Sequence, residues 1–277
     1  MGKKLLSMLT IALLALGVFT GCSTKPKEPA KTPDGKIILK VGTFMVPHSE
    51  ILEGMLPLAE KQGLAVEIVD FTDPRKANEA LAKGDLDINY VQSAIELERL
   101  NAEQKLSLVS LGTIHMEPLL LVSTRALDVS EIGPGFKIAV PNSADGIGRA
   151  LRLLSEQGFL KLKTAKGKIP TQEDITENRL NLQLSPVDEA TITNAVKDHD
   201  AAIVTGVQLV FAKESLQIPI KNLASEAMEG SEFAAVVAVR KGDEKRAEVQ
   251  AFMKVLQSNE ARLFIMDKYN GAVGPAF

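Results

Sequence analysis

The segment EIVDFTDPRKANEALAKGDLDINYVQ, residues 67–92, decides the fold class. Its start belongs to the apolar run Val66–Phe71, which predicts a strand. Pro74–Lys83 has apolar residues at helical spacing, and Gly84 then favours a helix end. Leu86–Asn89 follows as a second short strand. A strand, a helix and a strand in this order indicate a parallel or mixed sheet with helices on its faces, an α/β fold.

The same alternation continues on both sides of this segment. Ile37–Gly42 predicts a strand and His48–Gln62 a helix, in which Pro57 favours a kink or an early end. Ser185-Pro186 is typical of a helix start, because serine caps well and proline suits the first helical position, so a helix is predicted as far as Val196. Further strands are predicted at Lys137–Val140, Ala201–Thr205 and Phe233–Arg240, and further helices at Val91–Glu103, Ile147–Gln157, Glu244–Gln257 and Glu260–Tyr269. Two α/β blocks indicate two lobes with a cleft between them.

The N-terminus carries the features of a lipoprotein signal peptide. Lys3 and Lys4 precede the apolar run Leu5–Phe19, which is long enough for a signal peptide and short for a membrane span. Small residues then lead to Cys22, the pattern at which lipoprotein signal peptidase cuts. Residues 1–21 are therefore predicted to be removed and Cys22 to be acylated; an uncleaved anchor helix is the alternative.

The composition of the segment after Cys22 is typical of a tether between a lipid anchor and an exported domain. Residues 22–35 are rich in Pro, Lys and Thr and predict a flexible tether. The mature protein is expected on the extracytoplasmic side of a cell membrane, held there by lipid. Cys22 is the only cysteine, so the exported domain can form no internal disulfide.

The composition excludes some classes of function. The net charge is −3, whereas nucleic-acid binding favours a basic face. The three histidines are isolated in the sequence, so no metal site is predicted. No nucleophile motif or phosphate loop is present, and neither an enzyme nor a cofactor is expected. A surface lipoprotein with an adhesin or antigen role remains an alternative.

Polar residues follow the predicted strands at the places where a ligand would bind. Open α/β sheets bind ligands beyond the carboxyl ends of their strands. Those ends lead here into Pro47-His48-Ser49, Asn89-Tyr90, His115–Pro118 and the segment from Pro141-Asn142-Ser143 to Arg149. We expect these loops to line the cleft.

The chain resembles the NlpA/MetQ family, the methionine-binding lipoproteins of ABC importers. The matching segments, in order, are VGTFMVPHSEIL (41–52), residues 67–92 quoted above, GTIHMEPL (112–119), IAVPNSADGIGRALRLLSEQGFLKLK (138–163) and KYNGAVGPAF (268–277). The resemblance implies a two-lobe, type II periplasmic-binding-protein fold whose chain crosses twice between the lobes, near Pro118–Ser123 and Phe233–Arg240. Lobe I would comprise 36–118 plus 236–277, and lobe II 119–235.

The same resemblance implies a function and its partners. The protein would bind an amino-acid-like ligand, methionine or a related compound, and deliver it to the membrane subunits of an ABC importer. No nucleic acid is expected among its partners.

Arg149 is the principal candidate for ligand binding. The predicted helix places it in the first turn after the loop Asn142–Gly146, where free N–H groups and the helix dipole favour an anion. Its guanidinium could clamp a carboxylate with two parallel hydrogen bonds, and the family places its carboxylate-binding arginine here. A surface arginine, as expected for Arg152, is the alternative. Asn142 is a further candidate.

The resemblance nominates four more ligand-binding residues. Tyr90 would stack on the ligand side chain, unless it is a core tyrosine. His115 matches a family pocket position, and so does His48, which could instead cap the following helix. Thr205 stands where the family carries the first asparagine of an Asn-Gly-Asn segment.

Several positions depart from the family pattern. Val91 and Ser93 replace an aromatic residue and a histidine, Gly146 and Ala235 each replace an asparagine, and Val207 replaces the second asparagine of the Asn-Gly-Asn segment. Amide hydrogen bonds to a buried charged ligand contribute about 1.5–3 kcal/mol each. Their loss predicts a roomier, more apolar pocket and leaves the ligand open.

Overall fold

The computed structural model describes residues 29–44, 46–164, 168–228 and 231–277. The predicted signal peptide and Cys22 lie outside the described residues, as does the first half of the predicted tether, residues 22–28. In the described part of the chain, no helix is both long enough and apolar enough to cross a membrane.

The chain alternates strands and helices throughout. The strands, in chain order, are β1 (Ile37–Thr43), β2 (Leu64–Asp70), β3 (Ile88–Ser93), β4 (Leu108–Met116), β5 (Leu119–Ser123), β6 (Lys137–Pro141), β7 (Leu160–Leu162), β8 (Ile175–Asn178), β9 (Gln183–Val187), β10 (Ala201–Thr205), β11 (Lys221–Ser225), β12 (Ala235–Arg240) and β13 (Gly274–Pro275). The helices are α1 (His48–Lys61), α2 (Pro74–Lys83), α3 (Ala94–Gln104), α4 (Ala144–Glu156), α5 (Gly206–Leu216), α6 (Ala247–Leu256) and α7 (Asn259–Tyr269).

Two mixed sheets organise these elements. The first has the order β13-β4-β12-β3-β1-β2, with β1 parallel to both its neighbours and β12 antiparallel to both of its own. The second has the order β11-β5-β10-β6-β9. The chain passes from the first sheet to the second between β4 and β5 and returns between β11 and β12. The predicted α/β class with two crossings is confirmed, while the exact lobe boundaries remain a prediction.

Each sheet has its own apolar core. In the first, Leu39, Ile88 and Val237 are completely buried between the sheet and its helices. In the second, Leu121 and Ile203 are completely buried in the same way. Because each core is formed around its own sheet, polar loops at the strand ends are left free to form a site between the two sheets.

The helix predicted from Ser185 to Val196 is wrong. Residues Gln183–Val187 form β9, in which Ser185 and Pro186 pair in parallel with β6. Proline is tolerated there because β9 is the edge strand and its outer side needs no ladder donor. Only Ile192–Lys197, a short 3₁₀-helix, has helical conformation.

Other helix boundaries differ from prediction by up to three residues. Helix α1 contains Pro57 and continues to Lys61, so the early end does not occur. Strand β3 extends through Ser93, whose side chain caps α3, so Val91 lies in a strand and not in the predicted helix. The sequence Ser93-x-x-Glu96 is a helix-start signal that would have placed this boundary correctly.

The short strand β13 completes the edge of the first sheet. Gly274 and Pro275 pair antiparallel with Met116 and His115 of β4. Just before this strand, the Ala272 backbone packs against Gly206 at the start of α5, where a Cβ would lie only 2.3 Å from the Ala272 carbonyl oxygen. The C-terminal segment therefore touches elements of both sheets.

Candidate ligand-binding site

Two adjoining cavities lie where loops of the first sheet face loops of the second. The smaller cavity, about 210 Å³, is lined by Phe44, His48, Val91, Gln92, Ser93, Glu96, His115, Glu117, Asp145, Arg149, Phe233 and Ala235. The larger cavity, about 510 Å³, is lined by Phe44, Thr72, Pro74, Arg75, Glu96, Arg99, Leu119, Pro141, Ser143, Ala144, Asp145, Gly146, Arg149, Glu189, Thr205 and Gln208. Glu96, Asp145 and Arg149 line both cavities, so the same three charged side chains border the smaller and the larger cavity.

Arg149 lies on both walls and is already paired. Its Nε donates to Glu226 Oε1 at 3.2 Å, and its Nη2 donates to Glu226 Oε2 at 2.5 Å and to the Glu117 carbonyl at 2.7 Å. The side chains of Arg149 and Glu226 are 17% and 8% exposed. Among the described residues, Nη1 makes no hydrogen bond. A two-pronged clamp would therefore require Glu226 to move, whereas Nη1 can bind a carboxylate without that change.

Arg149 does not lie in the first turn of its helix, as the sequence predicted. Ser143 caps α4 by accepting a hydrogen bond from the Gly146 N–H, so the helix begins at Ala144 and Arg149 is one turn further in. The free N–H groups of the helix start are thus not at Arg149. Asp145 occupies the first turn instead, where a carboxylate is favoured by the helix dipole.

Carboxylates dominate the charge of the smaller cavity. Burial, and then the neighbouring Asp145, raise the pKa of Glu96 to about 7, while Arg99 acts in the opposite direction. Asp145 Oδ2 accepts a hydrogen bond from Arg99 Nη2 at 3.2 Å, and its Oδ1 is buried with no partner among the described residues. The wall thus offers a single arginine, Arg149, and the carboxylates of Glu96, Asp145 and Glu117.

Three aromatic side chains pack against one another, and two of them, His48 and His115, line the smaller cavity. The His48 and His115 ring centroids are 4.6 Å apart, and Tyr90 lies 4.9 Å from His48 and 5.4 Å from His115. The Tyr90 hydroxyl makes a short hydrogen bond with His115 Nδ1. His115 Nε2 lies 3.5 Å from Glu117 Oε1. Burial lowers the pKa of His48 well below its ordinary value, so the ring is neutral at pH 7.

The structure separates the predicted site residues into groups. His48, His115 and Arg149 line the smaller cavity, and Thr205 lines the larger one while its hydroxyl caps α5. His48 does not cap its helix: it is the first residue of α1, after Pro47.

Tyr90 and Asn142 differ from these. Tyr90 is completely buried behind His115, as in the core-tyrosine alternative, and is not among the described residues that line either cavity. Asn142 is exposed and is likewise absent from both linings. Both assignments as ligand-binding residues remain predictions.

Most of the positions that depart from the family pattern lie at the cavities. Val91, Ser93 and Ala235 line the smaller cavity, and Gly146 lines the larger one. Val207 instead packs against the core of the first sheet. Val91, Ser93 and Ala235 have short side chains and share the lining of the smaller cavity with Arg149 and Phe233.

Sequence reasoning missed three charged residues of the site. Glu226 comes 77 residues after Arg149, and no sequence pattern joins them. Glu96 stands at the third position of a capped helix, where a solvated carboxylate is the ordinary expectation. Asp145 was included only as part of a loop. Their roles become visible once β6 and β3 bring their helices together.

Comparisons with known proteins agree on one family. The family model described as NlpA lipoprotein matches residues 39–277. Membrane lipoprotein TpN32 of Treponema pallidum (strain Nichols) is 32% identical, with 99% of both chains covered. The D-methionine-binding lipoprotein MetQ of Yersinia pestis is 29% identical, with 94% of this chain and 93% of that protein covered.

Solved structures give the same result. The Treponema pallidum lipoprotein Tp32 has a TM-score of 0.74 at 32% identity, covering 86% of this chain and 99% of the other. A nutrient-binding protein from Burkholderia cenocepacia bound to methionine also has a TM-score of 0.74 at 32% identity, covering 86% and 100%. The fold, the family model and the relatives coincide over nearly all the described residues, and the chain therefore belongs to the NlpA lipoprotein family.

Proposed function

We propose that this protein is the lipid-anchored solute-binding component of an ABC importer and that it binds an amino-acid-like ligand in the smaller cavity. The observation that carries the proposal is the cavity wall, in which Arg149 faces the carboxylates of Glu96, Asp145 and Glu117. A relative is named as D-methionine-binding, and a structural neighbour is described as bound to methionine. Methionine or a related compound is accordingly the ligand class.

The charges of the wall match a zwitterion. Arg149 Nη1 is the donor available for the ligand carboxylate, because Nε and Nη2 already bind Glu226 and the Glu117 carbonyl. The ligand ammonium would lie toward Glu96 and Asp145, where Asp145 Oδ1 has no partner among the described residues. A zwitterion with this orientation would bring its ammonium to the carboxylates of Glu96 and Asp145 and its carboxylate to the remaining Nη1 donor of Arg149.

The smaller cavity has an apolar space that could hold the ligand side chain. The residues typical of the family would fill more of this space than the residues of this protein do. Val91 and Ala235 lie on the same wall as Phe233, whose ring is 5.1 Å from the Arg149 guanidinium carbon. The departures at Val91, Ser93 and Ala235 replace bulk and amide groups by smaller side chains. We expect this protein to accept side chains larger or more apolar than that of methionine.

Calorimetric titration of ligand-stripped protein tests the proposal. L-methionine, D-methionine, glycyl-methionine and larger apolar amino acids would be titrated into the wild-type protein. Binding of at least one of these is expected. If none binds, the proposal is wrong; if L-methionine alone binds with nanomolar affinity, the argument from the cavity departures is wrong.

A second titration isolates the role of Arg149. Removing the Arg149 side chain alone would leave the Glu226 carboxylate buried without a counter-charge. The ligand affinity of the double variant Arg149→Ala, Glu226→Gln is therefore compared with that of the single variant Glu226→Gln, which is the reference. The arginine should contribute about 2–5 kcal/mol to binding, and Arg149→Lys should recover only part because lysine lacks the planar fork. Arg152→Ala is the matched control, since Arg152 lies one turn away and pairs with Glu232. Equal affinities of test and reference would refute the carboxylate role.

A further inference from the structure

A cluster of two histidines and a glutamate lies on the wall of the smaller cavity. His48 is at the start of α1, His115 is near the end of β4, and Glu117 follows that strand. One ligand atom from each of the three lies within 4.8 Å of the other two. The sequence predicted no metal site, because His48 and His115 are far apart along the chain; the fold brings them together.

The spacing of these atoms is close to that of a metal site. Ligand atoms held at about 2.0–2.2 Å from a tetrahedral zinc ion lie about 3.3–3.6 Å from one another. His115 Nε2 and Glu117 Oε1 are already 3.5 Å apart. All three ligand atoms lie within 4.8 Å of one another, so His48 must approach by about 1 Å to reach this spacing.

His48 supplies a second and independent observation. Its side chain is only 8% exposed, and its Nδ1 is buried without a hydrogen-bond partner in the described part of the chain. A buried polar nitrogen without a partner is unfavourable by about 1–3 kcal/mol. A ligand in the cavity that accepts electron density from an imidazole would remove this penalty.

Tyr90 is placed to orient His115 toward the same point. When the His115 Nδ1–H donates to the Tyr90 hydroxyl oxygen, Nε2 is left without a proton and its lone pair faces Glu117. Metal-binding histidines usually have such a hydrogen bond on their other nitrogen. Since Tyr90 is completely buried, its position is fixed by the core of the first sheet.

We propose that His48, His115 and Glu117 bind a divalent transition-metal ion on the first-sheet side of the smaller cavity. Two imidazoles and one carboxylate are a ligand set that suits Zn²⁺ and leaves its fourth position open. All three ligands come from the first sheet and its connections, so the site does not depend on how the two sheets close on each other. The three residues and Arg149 line the same cavity, which is the space proposed for the amino-acid-like ligand.

The test is metal binding by the full chain, freed of metal with a chelator. Calorimetry should detect one Zn²⁺ per chain, and Co²⁺ should give the absorption of a tetrahedral site without a thiolate band, which excludes Cys22. His48→Gln, His115→Gln and Glu117→Gln should each weaken Zn²⁺ binding by at least about 100-fold, and Tyr90→Phe by about tenfold. His199→Gln is the matched control, because this third histidine lies in the second sheet's half of the chain and bonds the Ala195 carbonyl; its affinity should equal that of the wild type.

Two results would overturn the metal site. One is the absence of stoichiometric Zn²⁺ binding; the other is binding that persists in both His48→Gln and Glu117→Gln. These two variants suffice if the buried His115→Gln does not fold. Amino-acid titrations of the same protein in the presence of chelator separate the two proposals: amino-acid binding without any Zn²⁺ binding refutes the metal site and leaves the solute-binding function intact.

Discussion

Replacing Glu96 by glutamine should make the protein more stable at pH 8 and leave its stability unchanged at pH 4. The carboxyl is mostly buried between the cavities, and its pKa is raised from 4.5 to about 7. A raised carboxyl pKa means that the folded state binds the proton more tightly than the unfolded state. Below pH 4.5 Glu96 is protonated in both states and does not destabilise the folded protein. As the pH rises from 4.5 to about 7, the free energy of unfolding falls, because the unfolded state loses its proton first.

The size of the effect follows from the two pKa values. At about 1.4 kcal/mol for each pH unit between the two pKa values, the ionised carboxylate destabilises the folded protein by at most about 3.5 kcal/mol above pH 7. The side chain is 23% exposed, which brings the expected value toward 2 kcal/mol. Glutamine has nearly the same shape and no charge to desolvate.

Urea denaturation followed by circular dichroism would measure this, since the chain has no tryptophan for fluorescence. The free energy of unfolding of Glu96→Gln and of the wild type should agree at pH 4 and differ by about 2–3 kcal/mol at pH 8. Glu98→Gln is the matched control, because Glu98 is exposed on the same helix, and it should change stability by less than about 0.5 kcal/mol at either pH. A difference for Glu96→Gln that does not vary with pH would refute the reasoning.

Two further predictions follow from the charged groups and from the N-terminus. Glu226→Gln should lower the free energy of unfolding by about 3 kcal/mol, because it breaks a buried ion pair with Arg149, whereas Glu232→Gln, which breaks the more exposed pair with Arg152, should lower it by less than about 1 kcal/mol; equal losses in urea denaturation would contradict this. Cys22→Ala should release the protein from membranes or leave its precursor uncleaved, as seen by detergent partitioning and intact mass, and a wild-type mature protein without acyl chains would contradict the anchor.

The alternation of strands and helices was readable from the sequence because apolar periodicity reports directly on burial. Pro74–Lys83 was predicted and observed with the same bounds, since Asp73, Pro74 and Gly84 mark its two ends. Ser185-Pro186 was misread because an edge strand accepts the same residues as a helix start. The edge strand and the helix start are distinguished only by pairing with the neighbouring strand β6. That pairing cannot be read from the residues around Ser185.

The site was partly predictable for the same reason. The rule that ligands bind beyond the carboxyl ends of strands nominated His48, His115 and Arg149, and all three line the smaller cavity. Their role in ligand binding stays a prediction. The approach of His48 to Glu117 depends on packing within the first sheet's half of the chain, and the pairing of Arg149 with Glu226 depends on packing within the second sheet's half. Distances of this kind arise from tertiary packing, so a local pattern could nominate the residues but not their partners.

The strand β13 imposes an order on how the molecule is made. Its neighbour β4 is hydrogen-bonded to residues up to 163 positions later in the chain. At synthesis rates of about 5–20 residues per second, roughly 10–30 s pass between the synthesis of β4 and the synthesis of β13, its partner. During this interval the first sheet has an open edge and the wall beside His115 is unfinished. The outer edge of the first sheet and the wall beside His115 are therefore completed only after residues 274–276 have been synthesised.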